Sequence, residues 1–144
     1  MINILIIEDD PAITAMLEMA LSGERHLVQT SRNGSAALQV LKEERFDLVI
    51  ADISTPDMDG FEVIMDINCM QPRPRVIAMT GHTGSQNRDY LSNIAANLNV
   101  YRMLYKPFSI AALMDSIQKF EGGDEQAEQC RKPLQNTDLR GGTV

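Results

Sequence analysis

Short apolar runs alternate with longer segments of helical period along the first 120 residues. Residues 2–7 form an Ile- and Leu-rich run of strand length, and 26–31 form a second, more polar one. "FDLVIA" at 46–51 is apolar throughout, "RVIAM" at 75–79 is a fourth strand, and 101–105 a fifth. Between them lie segments whose apolar residues recur every three or four positions. Pro11 can open a helix that continues to about Ser22, with Ile13, Met16, Leu17 and Ala20 on one face and Gly23 ending it. Asn33-Gly34 marks a turn before a helix over 35–45, which carries Leu38 and Leu41. A short helix over 59–69 carries Phe61, Val63, Ile64 and Ile67, and Pro72 and Pro74 stop it. A further helix is expected at about 87–98, with Asn99 as a left-handed cap, and Ser109 caps a last helix over 110–120.

Five strands, each followed by a helix, predict an α/β fold: a parallel sheet with helices on both faces and right-handed crossovers. The unbroken apolar stretch at 48–51 suits a strand buried on both sides. Residues 121–144 are polar, glycine-bearing and nearly without large apolar residues, which predicts a disordered tail rather than a second domain. The expected division is therefore a domain over 1–120 and a tail over 121–144.

Composition narrows the functional classes. The chain has 144 residues, 44% of them hydrophobic, and a net charge of -7 from 13 Lys and Arg against 20 Asp and Glu. Sequence-independent nucleic-acid binding relies on clustered cations, so this balance argues against it. The two cysteines, Cys69 and Cys130, have no metal-ligand spacing and are too few for a disulfide framework, which suits a reducing compartment. Acids follow the first apolar run within seven residues, unlike a signal peptide. No stretch approaches the roughly 20 apolar residues of a membrane helix. A cytoplasmic protein without membrane insertion is expected.

The candidate chemistry lies at the strand ends. Ligands of an open parallel sheet bind beyond the carboxyl ends of its strands, where strand order reverses. Glu8, Asp9 and Asp10 follow the first strand, Asp52 the third, Thr80 the fourth and Lys106 the fifth. Any one of these alone is an ordinary cap, turn or surface residue. Three adjacent acids repel unless something positive lies among them. A cluster of Glu8, Asp9 and Asp52 is an oxygen-rich site suited to Mg²⁺, with Lys106 supplying a further positive charge. Such a site is poised to accept a phosphoryl group, and a carboxylate can itself be the nucleophile.

"IIEDD", "ADISTPDMDG", "AMTGH" and "YKPFS" together resemble the receiver domain of two-component response regulators, over about 1–120. The resemblance implies a doubly wound, flavodoxin-like sheet of order 2-1-3-4-5 with five helices. It implies that Asp52 is the phosphoacceptor, that Asp9 binds Mg²⁺ directly and Glu8 through water, and that the main-chain carbonyl of Ser54 supplies another metal oxygen. Asp10 would be an extra acid. Thr80 would hydrogen-bond a phosphoryl oxygen and move inward, Gly81 would be small beside it, and Lys106 would pair with a remaining oxygen. Lys106-Pro107 becomes a candidate for a cis bond. The implied phosphodonor is a histidine kinase or a histidine phosphotransfer protein, and the implied output is contact with a downstream protein. The domain would catalyse only its own phosphorylation and dephosphorylation.

The chain departs from the family pattern in places. Met103 stands where an aromatic residue or Thr often switches between exposed and buried positions. Strand alternation places Tyr101, Met103 and Tyr105 on one face. The stretch from Thr80 to Lys106 is about one helical turn longer than the common form and falls in the output region. His82, two residues past Thr80, occupies a position that tunes hydrolysis in the family, and His26 is expected to be structural or solvated. Two other readings compete. A Mg²⁺-dependent phosphohydrolase of the haloacid dehalogenase type would want a second acid where Ser54 stands. A receiver-like binding module that takes no phosphate would not need the full set of acids, Thr and Lys.

Overall fold

The strand Asn3–Ile7 (β1) sends Ile4 and Ile6 into one apolar cluster and Leu5 and Ile7 into another, so both faces of the sheet are covered. The computed structural model describes residues 1–53, 60–81, 96 and 99–122. After β1 come α1 (Pro11–Ser22), β2 (Leu27–Ser31), α2 (Gly34–Glu43), β3 (Leu48–Asp52), α3 (Gly60–Asn68), β4 (Arg75–Thr80), β5 (Arg102–Tyr105) and α4 (Ile110–Glu121). The five strands are parallel in the order β2-β1-β3-β4-β5. The helix expected at 87–98 falls almost wholly outside the described residues, as does the tail beyond Gly122. Among the described residues no helix is long and apolar enough to cross a membrane.

Side-chain alternation assigns the helices to faces. Leu5, Ile7, Val49, Ala51, Val76 and Ala78 pack with Ala37 and Leu41 of α2 and Val63, Ile64 and Ile67 of α3. Ile4, Ile6, Leu48, Ile50, Ile77 and Met79 pack with Leu17 and Leu21 of α1 and Leu113 and Ile117 of α4. All five residues of β3 are buried, as expected of the central strand of a two-sided sheet.

The helix ends follow their local chemistry. Asp10 Oδ1 accepts the Ala12 N–H at 2.9 Å and caps α1, with Pro11 at the first helical position. Asn33 caps α2 through a 2.8 Å bond from the Ala36 N–H, so the helix starts at Gly34, one residue earlier than its apolar pattern. Ser109 caps α4 through the Ala112 N–H at 3.0 Å, as expected. Gly23 does end α1, but in right-handed geometry with φ of -62°, while Arg25 takes the positive φ of 69° in the following turn. Asn99 has the left-handed φ of 62° expected of it.

The expectation for the fifth strand needs correction. Met103 packs with the α2 and α3 face, whereas Tyr101 belongs to the opposite cluster, against the edge of the Phe120 ring at 5.9 Å. The two do not share a face because β5 begins only at Arg102, and Tyr101 lies before the regular alternation starts.

Candidate functional site

Strand order reverses between β1 and β3, and the acids flank that crevice. The backbone carries Glu8 directly off the end of β1, its N–H bonded to the Ser31 carbonyl at 3.1 Å. Asp52 is the last residue of β3, in register with Met79 of β4, so it belongs to the sheet and not to the loop after it. Glu8 is 2% exposed and Asp52 3%, while Asp9 is more accessible than either. A carboxylate oxygen from each of the three lies within 4.8 Å of the others.

The positive charge among them is Lys106. Its Nζ donates to Glu8 Oε1 at 2.8 Å and to Asp52 Oδ2 at 2.9 Å. The lysine backbone is fixed by its own N–H, which donates to the Thr80 carbonyl at 2.8 Å, and its bond to Pro107 is cis. Glu8 uses its second oxygen, Oε2, to accept the Asp10 N–H at 3.1 Å. Burial pushes the Glu8 carboxyl above the usual range, and the nearby Asp52 charge adds to this. The bonds from Lys106 and Asp10 pull the other way without cancelling it. Burial pulls the Lys106 ammonium down, but its bonds to Glu8 and Asp52 and their charges outweigh this and lift it above the ordinary lysine value.

Among the described residues, three acids against one ammonium leave an excess of two negative charges when all are ionised. Hard carboxylate oxygens from two buried residues and one more accessible residue fit an oxygen-liganded divalent cation that retains water. At the end of β4, Thr80 is fully buried, and its hydroxyl has no hydrogen-bond partner among the described residues. An orphaned buried hydroxyl costs stability, which is a reason to look for a ligand that would complete it.

The structure thus brings Glu8, Asp9, Asp52 and Lys106 into one crevice, with Thr80 on the adjoining strand end. Ser54 and His82 lie outside the described residues. His26 is structural: it is buried away from the crevice, and its Nδ1 accepts the Ile2 N–H at 3.3 Å. The reading of Asp10 as an extra acid missed its cap role. An Asp immediately before a Pro that opens a helix was the signal for it.

Comparison with known proteins agrees with this geometry. The profile of the response regulator receiver domain matches residues 4–118. The transcriptional regulatory protein GlrR of Escherichia coli K12 is 32% identical over 115 residues, 80% of this chain and 25% of GlrR. The aerobic respiration control sensor protein ArcB of the same organism is 30% identical over 139 residues, 94% of this chain and 17% of ArcB. This chain therefore spans a quarter or less of these relatives. A CheY-like receiver domain from Methanospirillum hungatei superposes with a TM-score of 0.72 at 26% identity, covering 90% of this chain and 96% of that one. The chain belongs to the response regulator receiver domain family, the phosphorylation-dependent signalling receivers of two-component systems.

Proposed function

We propose that Asp52 is the phosphoacceptor, that Glu8, Asp9 and Asp52 hold Mg²⁺, joined by the carbonyl of Ser54, and that Thr80 and Lys106 engage the phosphoryl oxygens. The observation that supports this best is the Lys106 ammonium held at 2.8 and 2.9 Å between two buried carboxylates in an otherwise acid-rich crevice. Bound Mg²⁺ supplies charge neutralisation, which allows an anionic phosphodonor to approach an anionic nucleophile. A carboxylate oxygen of Asp52 attacks phosphorus, and the bond to the donor breaks with its electron pair leaving on the donor. Lys106 can exchange one carboxylate partner for a phosphoryl oxygen without leaving the crevice, since its ammonium has three donors. The Thr80 hydroxyl, without a partner among the described residues, gains an acceptor.

In this reading the donor is a histidine kinase or a histidine phosphotransfer protein, and the output is a contact with a downstream protein. The domain catalyses only its own phosphorylation and dephosphorylation. The test is incubation of the purified protein with acetyl phosphate, followed by intact mass measurement. One labile phosphoryl group is expected with Mg²⁺ and none with chelator; no addition under either condition would refute the reading.

Two substitutions separate the roles of neighbouring acids. Asp9→Ala should weaken Mg²⁺ binding by about tenfold or more while leaving the melting temperature nearly unchanged. Asp10→Ala should do the reverse, lowering stability by about 1 kcal/mol through the lost helix cap while retaining most of the metal affinity. A Mg²⁺ titration and a thermal melt on each variant check both. Equal losses of Mg²⁺ affinity would mean that the metal uses both acids.

Thr80→Ala offers a third check. Since the hydroxyl is buried without a partner among the described residues, removing it should leave the unphosphorylated protein as stable as before, within about 1 kcal/mol, or slightly more stable. The variant should still take phosphate but show a smaller structural response, read as backbone amide shifts with beryllofluoride. A large destabilisation would mean that the hydroxyl is already satisfied.

A further inference from the structure

Beside the acids, between α1 and the end of β2, lies a cleft of about 420 Å³. Glu8 and Asp9 form part of its wall, with Thr14 and Glu18 from α1, Thr30 from β2 and Arg32 just after β2. Ile7 pairs with Ser31, and the Glu8 N–H donates to the Ser31 carbonyl at 3.1 Å, so Arg32 stands level with Glu8 across the β1–β2 pair. Arg32 is exposed, and its guanidinium has no ion pair or hydrogen bond among the described residues. The other described lysines and arginines, apart from Lys106, lie toward the opposite end of the sheet, at strand starts, in turns or at helix ends.

We propose that Arg32 is a specificity residue for the phosphodonor: it holds the anionic leaving group of an acyl phosphate while Asp52 takes the phosphoryl group. Such a role presupposes that Asp52 is the acceptor. β2 lies two strands from β3, roughly 10 Å across the sheet, a gap that an arginine side chain and a small donor span together. Charge gives Arg32 its part. Glu8, Asp9 and Asp52 are balanced by Lys106 and Mg²⁺ together; Glu18 adds a negative charge on the cleft wall, and Arg32 offsets it. Without Arg32, an anionic donor meets a cleft of its own sign. In the transfer, a carboxylate oxygen of Asp52 bonds to phosphorus and the bond from phosphorus to the acyl oxygen breaks. The electron pair leaves on that oxygen, as a carboxylate, and no proton is transferred. A guanidinium pairs with a carboxylate through two parallel N–H donors, a geometry that an amine leaving group cannot use.

The test compares two donors on the full chain at saturating Mg²⁺. Acetyl phosphate releases a carboxylate, whereas phosphoramidate releases ammonia. Arg32→Gln should lower the second-order rate constant for phosphorylation by acetyl phosphate about fivefold, and that for phosphoramidate by less than about twofold. Arg32→Lys keeps the charge but not the paired donors, and its rate with acetyl phosphate should fall between those of Arg32→Gln and the parent. Lys42→Gln makes the same charge change in the last turn of α2, at the far end of the sheet, and should leave both rates unchanged. Equal slowing of Arg32→Gln with both donors, or no slowing with either, would overturn the proposal while leaving Asp52 as the acceptor. Parent protein that takes phosphate from neither donor would overturn the phosphoacceptor reading, and the role of Arg32 with it.

Discussion

Asp52→Asn is expected to leave the fold intact and to abolish phosphorylation by acetyl phosphate and Mg²⁺. The asparagine amide has nearly the shape of the carboxylate, and its oxygen can still accept from Lys106, which now holds Asp52 at 2.9 Å. What it lacks is an anionic oxygen able to attack phosphorus, and it also takes one charge from the cluster that attracts the metal. Removing a nucleophile costs several orders of magnitude in rate, roughly 10³-fold or more. Intact mass after donor treatment, with a thermal melt as the folding control, measures both halves of the expectation. Phosphoryl addition at an undiminished rate would place the acceptor elsewhere in the acidic run.

Lys106→Met should have the largest effect on stability. Methionine matches the length of the lysine stem but removes the ammonium that bridges Glu8 and Asp52, whose side chains are 1% and 4% exposed. Two nearly buried carboxylates then face one another. Losing one partner of a buried ion pair costs about 3–5 kcal/mol, and some solvent access to the lysine reduces this to roughly 2 kcal/mol here. The pH dependence has a definite sign. The Glu8 carboxyl already lies above its ordinary value of 4.5 because of burial and the Asp52 charge, and losing the lysine raises it further. A group with a raised folded-state pKa contributes stability below its unfolded value and loses that contribution as pH rises through the folded one. The deficit of the variant should therefore be greatest at neutral pH and shrink as pH falls toward 4.5. Added Mg²⁺ should reduce it as well. Thermal melts over this range, with and without Mg²⁺, test the account; a deficit independent of both would show that lost packing, not charge, is responsible.

Much of this site was legible before the structure because its residues sit at strand ends, and strand ends follow from apolar runs. Asp52 ends "LVIAD", a run buried at every position, and Lys106 directly follows β5. The parallel sheet follows from the alternation of strands and helices, since parallel neighbours need a crossover between them. The pairing of Lys106 with Glu8 and Asp52 together is a tertiary fact. It depends on β1, β3 and β5 being brought level across the sheet, and residues 8 and 106 are 98 positions apart. The placement of Tyr101 escaped the alternation rule because that rule holds only inside a strand, and the start of β5 is not marked in "VYRMLY". The N-cap role of Asp10 was hidden by its neighbours, since a run of three acids draws attention to charge and away from the single bond that Asp10 makes to the helix backbone.

The proposed carrier of the phosphoryl group is Asp52. Borohydride reduces an acyl phosphate to an alcohol and so converts a phosphorylated aspartate into homoserine at its own position. Protein treated with acetyl phosphate and Mg²⁺, reduced in this way, digested and sequenced by mass, should show homoserine at residue 52 and at no other aspartate. Homoserine at Asp9 or Asp10, or aspartate throughout despite a bound phosphoryl group, would contradict it.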